Sequence, residues 1–299
     1  MNGIIVLDKP EGFTSHDAVA KLRGILSREA SSRGLPRVKR IGHGGTLDPM
    51  ATGVLPIFVG RATRAVSFFE HADKEYVAGL RLGMRTDTQD TTGSVLETAP
   101  VEVTRERLEG VMRQFEGAQM QTPPMYSAVK VAGQPLYKLA RRGVDIERTA
   151  REITVSVIEI QGGSDADWTI RFAVSKGTYI RTLCADIGDA LGCGGAMSSL
   201  RRTRAGAYTI ENALSFADIE SRLRDGDMSF MLKTDSLFDE RPSVTIGADN
   251  ERKLRVGAEI TESVCDGEYR VYSKDGEFLA LCSASGGALK TVKSFFEVG

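Results

Sequence analysis

Apolar residues along this chain recur in two rhythms, one helical and one alternating. GIIVLDKPEGF opens as a strand; after Thr14 or Ser15, either able to cap a helix, Ala18, Val19, Leu22, Ile25 and Leu26 fall at helical spacing. Residues 28–40 are polar and basic, and GHGGTLDPMATG at 42–53 is too rich in glycine, proline and small residues for a regular element, so it reads as a shaped loop. VLPIFVG and KEYVAGLRLG read as strands, and Leu108, Val111, Met112 and Phe115 mark a helix after Thr104. ITVSVIEI and WTIRFAVS form a strand pair; in the second, Trp168, Ile170, Phe172 and Val174 alternate with polar or small residues, which predicts one buried sheet face. Beyond the KGT turn, Ile180, Leu183, Ile187 and Leu191 trace a helix that stops at Gly192, with Arg181 in its first turn. These elements predict an α+β sheet domain flanked by helices.

Two segments break the pattern. Residues 121–151 carry Pro123, Pro124, Pro135, two glycines and six basic side chains with Tyr126 and Tyr137 interleaved, which suits an excursion from the core. From about 242 the strands shorten, and RVYSKDGEFLALC reads as a hairpin whose Asp275-Gly276 pair favours a type I′ turn. The expected division is therefore 1–241, with the excursion inside it, and a small β-rich unit over 242–299. A chain of 299 residues, 41% hydrophobic, suits one large core with a satellite.

Composition removes several function classes. No basic leader precedes an apolar stretch and no window approaches 18 consecutive apolar residues, so a cytoplasmic protein without an anchor is expected. Cysteines at 184, 193, 265 and 282 form no C-x-x-C pair, and histidines at 16, 43 and 71 have no metal-closing spacing; no metal is expected. No phosphate-cradling glycine motif opens a helix, so no nucleotide cofactor is expected either.

The formal charge of −1 hides an uneven distribution. Residues 37–64 hold five Lys/Arg against one acid, while 123–151 and 171–204 each hold six against two, a net of +12 that leaves −13 for the rest. Eight of those acids lie in 211–240 against three basic residues, which predicts a basic face and an acidic back. Basic segments suit RNA, because phosphate neutralisation supplies most sequence-independent affinity.

Asp48 stands in the glycine-rich loop with Pro49 fixing the backbone behind it and Gly44, Gly45 and Gly53 allowing unusual dihedrals or close approach. Asp-Pro alone is a common turn dipeptide, and Tyr76, Tyr179 and Leu200 alone read as packing residues. Read together, KPEGFTS at 9–15, GHGGTLDPMATGVLP at 42–56, KEY at 74–76, KGTYIRTLCADIG at 176–188 and SSLRRTRAG at 198–206 occur in one order. In that order the chain resembles the tRNA pseudouridine synthase B family from the first strand to about residue 206. The C-terminal unit resembles the family's PUA-type RNA-binding module loosely.

The resemblance implies a large, mainly antiparallel mixed sheet with the site in a cleft, no cofactor, and uridine 55 of the tRNA T loop as substrate. It implies Asp48 as the catalytic aspartate, Tyr76 as the platform stacking on the target base, and Arg181 as partner of the aspartate. Leu200 would line the base pocket, Tyr179 would contact substrate beside it, and His43 would help displace or replace flipped nucleotides. Residues 121–151, Lys130 included, correspond to a mobile insertion gripping the RNA. Arg201, Arg202 and Arg204 are expected to meet phosphate. tRNA is the expected partner, with no protein partner required and a monomer as the working unit.

The chemistry gives these residue types a reason. Making pseudouridine breaks an N-glycosidic bond, turns the uracil and bonds its C5 to the same sugar, and a carboxylate can serve as covalent nucleophile at the base C6 or the ribose C1′. Arg181 would offset desolvation, which can raise a buried carboxylate by up to roughly 3 to 5 pKa units. Stacking of roughly 1 to 3 kcal/mol per base offsets most of the few kcal/mol needed to extract the base. Two other readings stay open at this stage: a tRNA-folding module in which chemistry is secondary, and an enzyme with another RNA target or guide-dependent partners.

Overall fold

The computed structural model describes residues 1–297 except Ala128, Ala132 and Arg141, and omits the side chains of Lys130 and Pro135. β1 (Gly3–Lys9) is apolar on both sides because both sides are covered: Ile5 and Leu7 enter one core, Ile4 and Val6 another. Thr14 caps α1 (Ser15–Ser32), its hydroxyl accepting from the Asp17 N–H while Asp17 accepts from the Thr14 N–H, a reciprocal capping box. Ser15, the other candidate cap, turns inward: its Oγ accepts from the Leu47 N–H at 2.8 Å. β2 (Ile41–His43), β3 (Thr52–Val59), α2 (Val66–Phe69) and β4 (Lys74–Leu82) follow.

The hairpin β5 (Met84–Thr86) and β6 (Val95–Thr98) leads to α3 (Arg105–Met112), which Thr104 caps; Phe115 falls past its end in a 3-10 turn. After β7 (Gly117–Gln121) the excursion contains a two-residue pair, β8 (Lys130–Val131) and β9 (Gln134–Pro135), and α4 (Leu136–Ala140). β10 (Arg151–Ser164) and β11 (Asp167–Val174) form the expected pair, with Trp168, Ile170, Phe172 and Val174 on its buried face. α5 (Ile180–Leu191) ends on Gly192 at φ 83°, a left-handed cap that a side chain would strain. β12 (Gly195–Ala205), β13 (Tyr208–Thr209) and α6 (Phe216–Arg224) complete this part.

The main sheet has nine strands in the order β1-β3-β12-β4-β11-β10-β7, with β2 on β3 and β13 on β12. Its pairings are antiparallel except the parallel β12–β3 contact, so the sheet is mixed but mainly antiparallel. Phe172, Tyr76, Arg202, Gly53 and Lys9 are successive cross-strand partners in β11, β4, β12, β3 and β1. Cross-strand partners point to the same face. This row therefore lies on the face covered by α1, α3, α5 and α6, and it becomes the floor of the site.

The C-terminal sheet comprises β14 (Ser243–Thr245), β15 (Ile260–Thr261), β16 (Gly267–Tyr272), β17 (Phe278–Ser285) and β18 (Ala288–Ser294), ordered β14-β16-β17-β18-β15, with α7 (Ala248–Arg255) beside it. Its hairpin turn differs from the expected one. A type I′ turn needs positive φ at both central residues, but only Gly276 has it, at 80°. The chain instead closes with the Gly276 N–H donating to the Ser273 carbonyl at 3.1 Å, a longer loop with a left-handed glycine at its end. No helix among the described residues is long and apolar enough to cross a membrane.

Candidate active site

The loop between β2 and β3 holds Asp48, and buried cations shape it from below. Lys9 is fully buried, and its Nζ donates to the carbonyls of Phe13 at 2.7 Å, Pro10 at 2.9 Å and Pro49 at 3.4 Å. It welds the turn after β1 to the residue behind Asp48. Burial pushes this ammonium down to about 8, against the pull of Asp48. Arg202, 1% exposed, donates Nε to the Val54 carbonyl at 2.6 Å and Nη2 to the Gly45 carbonyl at 3.2 Å. Gly53 is at φ 101°, and a Cβ there would stand 2.2 Å from the Arg202 carbonyl oxygen, so only glycine lets β12 approach β3 this closely.

Arg181 reaches Asp48 from the first turn of α5. Its Nε lies 3.0 Å from Asp48 Oδ2, with the arginine side chain 5% exposed and the aspartate 37%. The remaining donors are engaged: Nη1 with the Thr88 carbonyl at 3.0 Å, and Nη2 with the Tyr126 carbonyl at 2.7 Å. Asp90, itself buried, lies 3.9 Å from Nη1 and is held by the Thr88 hydroxyl at 2.9 Å and the Thr92 N–H at 3.0 Å. A planar guanidinium so anchored holds Asp48 in one ion pair, and the carboxylate stays partly open to solvent.

Tyr76 and Leu200 sit on the same sheet face, 9% and 8% exposed, Leu200 opposite Ala78 two register positions beyond the Tyr76–Arg202 pair. Tyr179 is the N-cap residue of α5, and burial pushes its phenol up. His43 ends β2 with its ring edge-on to His16 at 5.4 Å. Burial, with His16 and Arg202 adding repulsion, pushes its imidazole down to about 4. The structure thus brings Asp48, Tyr76, Tyr179, Arg181 and Leu200 to one end of one sheet face, with His43 beside the loop.

Among the arginines of β12, Arg202 needs correction. Arg202, expected to meet phosphate, is inside the protein and braces the Asp48 loop. Arg201 pairs with Val77 in the register where Arg202 pairs with Tyr76, so the two side chains leave on opposite faces. Arg201 is gripped by Asp8, Nη2 to Oδ2 at 2.8 Å. Arg204 donates to the Gly206 carbonyl at 3.3 Å. The side chain of Lys130 lies outside the described residues. The sequence reading missed Asp90 and gave Lys9 no role; the run TDTQDTT is the signal for the first, since Thr and Asp side chains fold such runs onto their own backbone. Among the described residues no group of three or more His, Cys, Asp or Glu could hold a metal ion.

Residues 33–180 match the TruB family pseudouridylate synthase N-terminal domain, and residues 181–234 the tRNA pseudouridylate synthase B C-terminal domain. A tRNA pseudouridine synthase B of Streptococcus thermophilus (strain CNRZ 1066) is 42% identical over 268 residues, covering 87% of this chain and 88% of its own. The chain belongs to the tRNA pseudouridine synthase B family. Another such synthase, from Ralstonia nicotianae, is 38% identical over 97% of this chain and 93% of its own. Among solved structures, one chain of a Cbf5-Nop10-Gar1 complex shares 30% identity at a TM-score of 0.72, covering 99% of this chain and 85% of its own. One from an H/ACA RNP bound to a substrate RNA containing 2′-deoxyuridine shares 27% at 0.70, covering 99% and 86%.

Membership makes this protein a tRNA pseudouridine synthase, an isomerase acting on uridine in tRNA. The boundary between the two matched family domains falls between Ile180 and Arg181, inside α5. The site is drawn from both sides of it: Asp48, Tyr76 and Tyr179 from one, Arg181, Leu200 and Arg202 from the other.

Proposed function

We propose that this synthase acts on uridine 55 in the T loop of tRNA, flips that base out of its stack, and uses Asp48 as its nucleophile. The observation that carries the reading is the ion pair of solvent-accessible Asp48 with buried, fully anchored Arg181. A carboxylate with one oxygen held and its surface open is oriented for attack rather than consumed by structure. The reaction is an isomerisation: N1–C1′ breaks, C5–C1′ forms, C5 gives up its proton and N1 ends protonated. It requires no oxidant or reductant.

Tyr76, in the cross-strand row between Phe172 and Arg202, supplies the stacking platform; Leu200 completes the apolar wall, and Tyr179 contacts substrate beside Arg181. His43 stays uncharged at neutral pH, so it can take the place of an extruded base by stacking without bringing a buried charge. The 121–151 excursion, including Lys130, grips the RNA together with Arg201 and Arg204, and residues 242–299 form a PUA-type module. The protein works in the cytoplasm as a monomer, without a protein partner. Substitution of Asp48→Asn is expected to abolish pseudouridine formation on a T-loop transcript while RNA binding survives. Mapping pseudouridine in total RNA with and without the protein checks the substrate. Turnover by the variant would overturn the role of Asp48, and loss at a position outside the T loop would overturn the target.

A further inference from the structure

β7 ends at Gln121, where the excursion begins, and this side chain is 4% exposed against the start of α5. Its Oε1 accepts from the Tyr179 N–H at 2.8 Å and its Nε2 donates to the Tyr179 carbonyl at 3.1 Å. Helix starts leave backbone groups without partners. In α1 and α6, Thr14 and Ser215 satisfy them from the cap position itself. In α5 the cap residue Tyr179 makes no such side-chain bond, and the amide comes from a strand 58 residues away in sequence. Two residues on from Tyr179 is Arg181, whose Nη2 holds the carbonyl of Tyr126, five residues into the excursion. The opening segment of the excursion is therefore tied at both ends to the turn of helix that carries Arg181.

We infer that Gln121 is a positioning residue for the isomerisation: it fixes the start of α5 and couples the RNA-gripping excursion to the Arg181–Asp48 pair. A primary amide is suited to this because it presents a donor and an acceptor at once; an ionised carboxylate only accepts, and a thioether does neither well. Movement of the excursion pulls on Gln121 and Tyr126 together, and both lead to Arg181. The inference rests on the proposed roles of Asp48 and Arg181, so Asp48→Asn belongs in the same experiment.

Single-turnover pseudouridine formation and affinity are measured on tRNA from cells lacking this activity. Gln121→Met, close in volume but without the paired hydrogen bonds, is expected to lower the rate by about tenfold to a hundredfold, the scale that an error of roughly 1 Å in a catalytic group produces. Affinity and the melting transition are expected to stay near those of the unaltered protein. Gln121→Glu, which keeps an acceptor for the Tyr179 N–H, is expected to recover part of the rate and also serves if the methionine variant folds poorly. An unchanged rate in both variants, a parallel fall of rate and affinity, or no recovery with glutamate would overturn the coupling. Turnover by Asp48→Asn would instead overturn the parent reading, whereas an inactive Asp48→Asn beside a fully active Gln121→Met defeats this inference alone.

Discussion

At the scale of single residues, burial decides which charges serve structure and which serve chemistry. Lys9 and Arg202 are inside the protein, satisfied by carbonyl oxygens, and the Lys9 ammonium feels the Asp48 carboxylate through protein rather than water. His43 responds to burial in the opposite sense by staying neutral. In an unfolded chain its imidazole takes a proton near 6.5, in the fold only at about 4. Between those values the unfolded state binds more protons, so this contribution is complete above 6.5 and is lost as the pH falls toward 4. Its share of the stability lost between pH 7 and pH 5 comes to roughly 2 kcal/mol. Urea unfolding of the parent and His43→Asn at both pH values checks this: the parent is expected to lose more by about that amount, and equal losses would show that His43 titrates normally.

At the scale of elements, α5 shows how a helix legible in sequence can carry a constraint that is not. The spacing of Ile180, Leu183, Ile187 and Leu191 gives the helix and Gly192 gives its end, because both signals are local. Gly188, inside the helix, looks like a weak point that alanine would mend by about 1 kcal/mol of helix propensity. In the fold, a Cβ at Gly188 would stand 2.1 Å from the Gly195 backbone nitrogen, where α5 lies against the start of β12. Backbone cannot step aside, and overpacking of this kind costs typically 1 to 3 kcal/mol. The clash wins: Gly188→Ala is expected to lower stability by about 1 kcal/mol net in thermal unfolding and to slow turnover by moving Arg181. A stabilised variant would show that α5 is not seated on β12 in this way. The same division explains what else the sequence concealed. Strand alternation and the ordered motifs point to Asp48, Tyr76 and Arg181, whereas the face that each β12 arginine takes depends on register shifts at Met197/Ser199 and Arg202/Arg204. The grip of Gln121 depends on a partner 58 residues away in the chain, which no local pattern encodes.

At the scale of the whole molecule, a count of charges overstated the basic face. Of the six cations in 171–204, Arg171 is paired with Glu75 and Glu159 and Arg181 with Asp48, while Arg202 is buried. Much of that positive charge therefore organises the sheet rather than facing RNA. The junction with the C-terminal sheet follows a similar logic, in which apolar contacts outweigh the ionic ones. Phe238, 1% exposed, meets Phe68 edge-on at 5.3 Å from one side, and Phe295 at 5.9 Å and Phe278 at 6.1 Å from the other. Arg61 pairs with Glu277 at 2.9 Å across the same junction, but both side chains are about a third exposed, and such pairs contribute only about 0 to 1 kcal/mol. Truncating a buried phenylalanine costs about 3 to 5 kcal/mol. The intact chain is therefore expected to melt in a single calorimetric transition. Arg61→Ala should leave it single, and Phe238→Ala should split it, with the C-terminal sheet unfolding separately from the nine-stranded one. A single transition in the phenylalanine variant would mean that other contacts carry the junction, whereas splitting by Arg61→Ala would mean that the ion pair does.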